Sequence, residues 1–251
     1  MMSSFKLEPK KQLLIVVLLF YNLAAHGQTR YCLDELYGIT TLESCTQFAD
    51  VQELPNGWKH VRLYNRVDSM LQMEGYFSAF PGPNAVEEGT HQYFFPGTDT
   101  IWYTELYKKG AIKKRESYYS DGKLRRVELF ERDSLISGKC YKPDGSEDDF
   151  LPFKVQPSFV GGEQTLYSHL KVNLVYPQDA IDNNIQGVVL ISFLVEKDGQ
   201  LSDFILLKDP GYGLGAEALR VLKSLQPMIA GTIDGQITPM RIWLPIRFKL
   251  G

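Results

Sequence analysis

Residues 240–250 alternate strictly between two kinds of side chain. The apolar positions are Met240, Ile242, Leu244, Ile246, Phe248 and Leu250, and the positions between them hold Arg241, Trp243, Pro245, Arg247 and Lys249. A period of two is that of a β-strand, because successive side chains of a strand point to opposite faces. One face must pack on a core while the other meets water, as in an antiparallel sheet covered on one side. The end of the chain therefore predicts a sheet with an apolar layer on one face.

The residues before this strand predict the elements that share its core. Short helices are expected over 162–170 and 177–184, and a buried strand over 188–195. The turn Lys197-Asp198-Gly199-Gln200 returns the chain as a strand over 201–208. A helix over 216–225 follows, since its apolar residues recur at helical spacing. The order helix, hairpin, helix, strand predicts an α+β fold in which helices pack on a small antiparallel sheet.

Residues 155–250 resemble the TonB C-terminal domain. The resemblance depends on short motifs at a combined spacing: Pro157 with Gly161-Gly162, Tyr176-Pro177-x-x-Ala180, Gly187, Val195-x-x-Asp198-Gly199, Glu217-Ala218-Leu219, Gly231, Gly235 and Leu244-Pro245-Ile246-x-Phe248. One departure is clear, because Met228-Ile229-Ala230 stands where the family commonly carries a Trp and a further Pro. We therefore expect different local packing there within the same fold.

The resemblance implies that this domain binds an extended peptide of an outer-membrane receptor. In a three-stranded layer the last strand can lie at an edge, and Pro245 supports this position, since proline is tolerated on edge strands. An open edge accepts a peptide main chain to main chain. Pro245 has no N–H, so pairing should be best over 237–244. The expected peptide-binding residues are Thr238, Met240, Arg241, Ile242 and Trp243, with Arg241 and Trp243 either contacting peptide side chains or belonging to a solvated face.

Residues 28–150 predict a mainly β region of hairpins. The segments Tyr118-Tyr119-Ser120-Asp121-Gly122 and Tyr141-Lys142-Pro143-Asp144-Gly145 resemble each other, with their Asp-Gly pairs 23 residues apart, and residues 106–110 resemble a third copy. Asp-Gly favours a two-residue turn in which both positions have positive φ. The repeat resembles the MORN-type variant found in secreted bacterial proteins. A plain antiparallel meander with two similar turns is the alternative.

Residues 1–27 are typical of a secretory signal peptide. Lys6, Lys10 and Lys11 precede a short apolar run, and the small-residue pattern Ala25-His26-Gly27 follows it. The alternative is an uncleaved inner-membrane anchor, for which the run is short. Export would place the chain in an oxidising compartment, where a disulfide between Cys32 and Cys45 is plausible.

Several kinds of chemistry are not indicated. A formal net charge of −3 argues against nucleic acid as a partner. Residues 211–216 fit G-x-G-x-x-A, but the preceding strand belongs to a tight hairpin, so a turn that opens a helix is favoured over a dinucleotide site. The histidines lack metal-ligand spacing. We expect no enzyme activity, no metal and no cofactor.

The sequence therefore predicts three segments: a signal peptide or anchor (1–27), a β region (28–150) and a TonB-like C-terminal domain (151–251). Three roles are compatible with this order. The chain is a TonB-like energy transducer, a secreted periplasmic adaptor that uses the same edge without transmitting force, or an interaction protein whose main surface is the hairpin region. The partner is an outer-membrane TonB-dependent receptor or another envelope protein. Contact with the inner membrane requires residues 1–27 to be retained.

Overall fold

The computed structural model describes residues 28–33, 39–40, 45–81, 84–225 and 227–250. The chain divides into two compact units with the boundary between Phe150 and Leu151. The predicted signal segment 1–27 lies outside the described residues.

The N-terminal unit contains one antiparallel sheet of ten strands, in which each strand pairs with its neighbours in the chain. The strands are β1 (Gln28–Leu33), β2 (Gln47–Glu53), β3 (Lys59–Asn65), β4 (Leu71–Phe77), β5 (Glu87–Phe94), β6 (Ile101–Lys108), β7 (Ala111–Tyr118), β8 (Leu124–Glu131), β9 (Ser134–Tyr141) and β10 (Glu147–Asp148). The predicted hairpin region is thus present.

The Asp-Gly turns differ from the two-residue turns that the sequence predicts. Gly122 has φ +82° and Gly145 has φ +87°, while Asp121 and Asp144 are not in the left-handed region. The amide of Tyr119 bonds to the carbonyl of Lys123 (2.8 Å), so the loop holds three residues. The aspartate of each pair instead accepts the amide two residues on, at 3.1 Å for Asp121 and 2.9 Å for Asp144. This acceptance favours a type I turn followed by a left-handed glycine.

The hairpins β6–β7 and β8–β9 are copies offset by 23 residues at both ends of every strand. The turns within these hairpins are the two-residue type with positive φ, Lys109-Gly110 and Arg132-Asp133. Residues 106–110 therefore lie at the opposite end of the strands from the Asp-Gly turns, and are not a third copy of them. The assignment to the MORN type stays a prediction.

One face of this sheet changes from apolar to ionic along its width. Its apolar part is a cluster of Leu33, Ala49, Val51, Val61, Leu63, Met73 and Phe77. Further along, Glu128 accepts from Arg115 and from Arg126, each at 2.7 Å, and Arg115 also pairs with Glu105 at 2.7 Å. The side chains of Arg126 and Glu128 are only 3% and 2% exposed. A charge-balanced network therefore takes the place of an apolar core at β6–β8.

Cys32 and Cys45 form a disulfide, and Cys140 is a buried thiol. Cys32 lies in β1, at the edge of the sheet, and Cys45 precedes β2. The disulfide links the edge strand β1 to the segment that leads into β2, the strand with which β1 pairs.

The C-terminal unit has three helices and two small sheets. The helices are α1 (Glu163–Asn173), α2 (Gln178–Asp182) and α3 (Leu214–Lys223). The larger sheet has the order β13-β12-β16, with β12 (Gly187–Val195), β13 (Leu201–Lys208) and β16 (Met240–Phe248). The smaller sheet, absent from the sequence prediction, joins β11 (Lys154–Val155), β14 (Thr232–Ile233) and β15 (Gln236–Ile237).

The core of this unit lies between the larger sheet and the helices. Its buried residues are Ala180, Val189, Ile191, Phe193, Val195, Leu214, Ala218, Leu222, Met228, Ile246 and Phe248. Alternate residues of β12 and β16 supply the sheet side, and the apolar stripe of α3 covers it.

Candidate functional site

Strand β16 is a long and regular edge. It pairs with β12 through nine consecutive residue pairs, from Met240 opposite Val195 to Phe248 opposite Gly187, without a register shift. Within the described part of the chain no strand pairs with its other side. A regular edge of this length presents unpaired N–H and C=O groups, which are a template for another strand.

The opposite edge of the same sheet is irregular. The pairing of β13 with β12 shifts register twice. Between the pairs Leu194–Ser202 and Ser192–Ile205, two residues of β13 oppose the single residue Phe193, which defines a β-bulge. Asp203, in the bulge, has φ +46°. A bulged edge with a left-handed residue is a poor template, so the two edges of the sheet are not equivalent.

Pro245 indicates which groups of β16 face outward. In an antiparallel pair, alternate residues direct both N–H and C=O toward the partner strand, and the others direct theirs away. Proline is tolerated where its missing N–H faces away from the ladder. Residues with the parity of Pro245, namely Arg241, Trp243 and Arg247, therefore direct their main-chain groups to the open edge. Only Pro245 interrupts the donors along it.

The predicted site residues separate into three groups. Met240 is buried and Ile242 packs against the core, so both anchor the strand. Trp243 is 48% exposed on the outer face of the sheet. Thr238 lies before β16 and is separated from it by Pro239. The amide of Thr238 donates to the carbonyl of Gly231 at 3.0 Å. The edge strand thus begins at Met240, and the predicted range 237–244 starts too early.

Arg241 turns away from the open edge. Its guanidinium donates to Ser192 Oγ (2.9 Å) on β12 and to the main-chain oxygen of Asp203 (3.0 Å) on β13. It also forms an ion pair with the carboxylate of Asp203. The side chain of Arg241 is 11% exposed. It is therefore engaged across the sheet and is not placed to contact a peptide side chain.

Sequence reasoning missed Ser192 and Asp203. Periodicity gives no sign of Asp203, since a bulge removes its strand from the alternating pattern. The presence of an aspartate within a strand, where it is disfavoured, is the available signal.

Two motif glycines allow close approaches of the main chain next to this sheet. A Cβ at Gly199 would lie 1.9 Å from the carbonyl oxygen of Met228, whose amide bonds to Gly199 at 2.8 Å. A Cβ at Gly231 would lie 2.7 Å from Met240 Sδ. These contacts fix the segment that leads into the edge strand, which explains why glycine is needed at both motif positions.

Glu217, of the Glu217-Ala218-Leu219 motif, joins α3 to the segment after α1. Its carboxylate accepts the Val175 amide (2.7 Å) and two bonds from Arg220 (2.7 Å each). The hydrogen bonds from Arg220, ahead of that from Val175, hold the pKa of Glu217 below its usual range. Arg220 also donates to the Asn173 carbonyl at 2.7 Å.

The G-x-G-x-x-A pattern forms an aspartate-centred turn. Asp209 Oδ1 accepts the amides of Gly211 (2.8 Å) and Gly215 (3.1 Å). A Cβ at Gly215 would lie 2.4 Å from Asp209 Oδ2. The carboxylate thus occupies the start of α3, the place where a dinucleotide phosphate would need the amides.

The described residues contain neither a metal-binding cluster nor a membrane-spanning helix. No group of three or more His, Cys, Asp or Glu side chains is arranged to hold a metal ion there. No helix in that part of the chain has the length and apolar character needed to span a membrane.

Comparison with known proteins gives one result. Residues 172–250 match the model of the family described as Gram-negative bacterial TonB protein C-terminal. No curated protein and no solved structure matches the chain. The match begins near the end of α1 and includes the whole β12–β13–β16 sheet. Proteins of the TonB family act in the cell envelope. Their C-terminal domains belong to transport energy transducers, have no enzyme activity and interact with outer-membrane receptors. Residues 172–250 of the C-terminal unit are therefore a TonB C-terminal domain.

Proposed function

We propose that the C-terminal unit binds an extended segment of an outer-membrane receptor by adding it as a fourth strand beside β16, in TonB-dependent transport across the envelope. The observation that carries this proposal is the regular, nine-residue edge of β16, which among the described residues is paired on one side only. The family match supports the class of partner.

The longest uninterrupted pairing lies along the first half of the strand. Arg241 and Trp243 offer both an outward N–H and an outward C=O, while Pro245 offers only the carbonyl. Each main-chain hydrogen bond contributes about 1 kcal/mol net. A short peptide segment opposite residues 240–244 therefore gains most of the available pairing, and the exposed Trp243 ring adds apolar contact on the outer face.

The direct experiment uses synthetic peptides that tile the periplasm-facing N-terminal segments of outer-membrane receptors from the same cell. Binding should slow amide exchange at Arg241 and Trp243, because their outward N–H groups gain acceptors. If no receptor peptide changes the exchange rates of these two amides, strand addition is contradicted.

N-methylation of the bound peptide provides the matched control. Alternate residues of an added strand face β16, so methylating the amides of one parity should abolish binding while methylating the other parity leaves it. Equal effects at both parities would mean that the peptide binds by its side chains and not as a strand.

A second candidate is an adaptor that binds the same segment without transmitting force. It is favoured by the fold of residues 28–150, because a compact ten-stranded unit is not the extended spacer that a periplasm-crossing transducer requires. In the native cell, receptor-dependent uptake should survive deletion of this chain if it is an adaptor with a separate transducer. Loss of uptake would favour transduction.

A further inference from the structure

We infer that Arg241 is a positioning residue for the β16 edge: its side chain reaches across β12 to Asp203 on β13 and holds the first half of β16 in register for an incoming strand. The inference rests on the proposed function, since it assigns a role within the same edge.

The contact crosses the whole sheet. Arg241 is the second residue of β16, Ser192 lies on the central strand, and Asp203 lies on the far edge strand. One guanidinium nitrogen donates to both Ser192 Oγ and the Asp203 carbonyl, and the other pairs with the Asp203 carboxylate. Ser192 is 1% exposed, so its hydroxyl is bonded in a site closed to water. All three strands are therefore fastened to one another at this level.

The bulge in β13 is what makes this contact possible. Two residues of β13 oppose Phe193, and the first of them, Asp203, has φ +46°. A non-glycine residue in the left-handed region carries a conformational cost, and such residues persist where the surroundings determine them. Here the bulge directs Asp203 to the outer face, where Arg241 lies, while the next residue, Phe204, packs on Phe193 in the core.

The position of the contact matches the part of the edge that can pair. The outward groups of Arg241 and Trp243 precede Pro245, so the uninterrupted part of this edge is also the first end of β16, next to Pro239. Strand ends separate from their partners more readily than strand centres. A cross-sheet contact at Arg241 keeps this end in the plane of the sheet, with its outward N–H and C=O groups aligned.

The test uses Asp203→Ala, because Asp203 is too far from a bound peptide to contact it. An added strand would lie three strand spacings from β13, about 14 Å. Peptide affinity, measured by calorimetry with the receptor-segment peptides described above, should fall roughly tenfold, equivalent to losing about one to two main-chain hydrogen bonds. Arg241→Met should give the same loss, and the double variant should be no weaker than either single one, because both changes remove one contact.

Arg247→Met is the matched control. Arg247 is also an arginine on the outer face of β16, but it is exposed and makes no ion pair in the described part of the chain. The affinity of this variant for the receptor-segment peptides should stay within about twofold of the wild type. A loss as large as that of Arg241→Met would point to general charge attraction and overturn the inference, as would wild-type affinity in Asp203→Ala.

Amide exchange in the peptide-free protein separates this inference from the proposed function. Ile242 directs its N–H to β12, so its exchange should become about tenfold faster in Asp203→Ala and stay unchanged in Arg247→Met. If the wild type binds no receptor peptide, the proposed function fails, while an unchanged Ile242 rate in Asp203→Ala overturns the positioning role by itself.

Discussion

At the scale of single residues, the same turn geometry serves two purposes in this chain. Gly122 and Gly199 both have φ +82° and both follow an aspartate that accepts the amide two residues on. A Cβ at Gly122 would meet nothing within 4 Å, whereas a Cβ at Gly199 would meet the Met228 carbonyl. Gly122 is thus required only by its backbone angle, and Gly199 also by a neighbouring segment.

Gly199→Ala should destabilise the C-terminal unit by about 3 kcal/mol or more, since strain in the left-handed region adds to displacement of the Met228 main chain. Gly122→Ala should cost its own unit only about 1 kcal/mol. Urea unfolding followed by hydrogen exchange in each unit gives both values. Equal costs would show that the close approach to Met228 has no energetic weight.

His91 provides a residue-scale prediction on pH. His91 is 1% exposed, and its ring lies where a Cβ at Gly75 would be only 2.6 Å away. Its Nε2 lies 3.0 Å from the carbonyl oxygen and 3.2 Å from the amide nitrogen of Tyr76. Burial holds the pKa of His91 below its ordinary value of 6.5. The unfolded chain therefore binds a proton first as the pH falls, so the contribution of His91 to stability is complete above about pH 6.5 and decreases below it.

The free energy of unfolding of the N-terminal unit should therefore fall between pH 7 and pH 5. His91→Phe removes the titrating group and keeps an aromatic ring beside Phe77 and Tyr107. The stability of this variant at neutral pH should be lower, because the hydrogen bond between the ring and the main chain of Tyr76 is lost. The slope below pH 6.5 should be shallower than that of the wild type. Parallel slopes would exclude His91 as the source.

At the scale of elements, strand β8 reverses the usual relation between polarity and burial. Arg126 and Glu128 are buried, while Leu129 on the other face is 41% exposed. The reversal follows from the neighbouring strands, since Arg115 and Glu105 continue the ionic row and the Tyr107 hydroxyl donates to Glu105 at 2.7 Å. Burial, and next the Glu105 carboxylate, raise the pKa of Tyr107, so its hydroxyl remains a donor.

Glu128→Gln should destabilise the N-terminal unit by about 3–5 kcal/mol, because it leaves two guanidinium groups beside a neutral side chain in a buried site. Glu147→Gln, which removes the exposed pair with Lys139, is the control and should leave stability unchanged within error. Thermal unfolding of both variants decides the matter. A small effect at Glu128 would mean that water reaches the network.

Ile242→Asp should unfold or strongly destabilise the C-terminal unit, by about 3 kcal/mol, because a carboxylate without a partner would enter the core. Trp243→Asp, one residue on and on the outer face, should cost much less. Normal thermal stability of Ile242→Asp would refute the assignment of faces in β16.

Sequence patterns predicted long elements better than short or irregular ones. The strands expected over 188–195 and 201–208 differ from β12 and β13 by at most one residue, because the Asp198-Gly199 turn sets their register. The two-residue strands β11, β14 and β15 are too short to show a period. The ionic row of β6–β8 was not foreseen, since charged side chains in a strand ordinarily indicate a solvated face.

The candidate site was predicted in outline and not in detail. Alternation and Pro245 indicate an edge strand, but they do not show that this strand begins at Met240, directly after Pro239. The role of Arg241 depends on a residue 38 positions away in the chain. Such a contact between strands becomes visible only with the fold.

At the scale of the whole molecule, processing of the N-terminus decides between the proposed roles. The pattern of residues 1–27 predicts a mature chain that begins near Gln28. Mass spectrometry of the natively expressed protein, with fractionation of the envelope, should find that N-terminus in the periplasmic fraction. A full-length chain in the inner membrane would instead support direct energy transduction.

The copied hairpins of the N-terminal unit have a consequence for how such a protein changes in evolution. Since β6–β7 and β8–β9 repeat at 23 residues and each strand bonds only to its neighbours, inserting or removing one such segment preserves the register on both sides. An insertion of an odd number of residues within a strand shifts its pairing and moves its apolar side chains to the other face. Each duplication or loss of the 23-residue segment therefore changes the width of the sheet by two strands, about 10 Å.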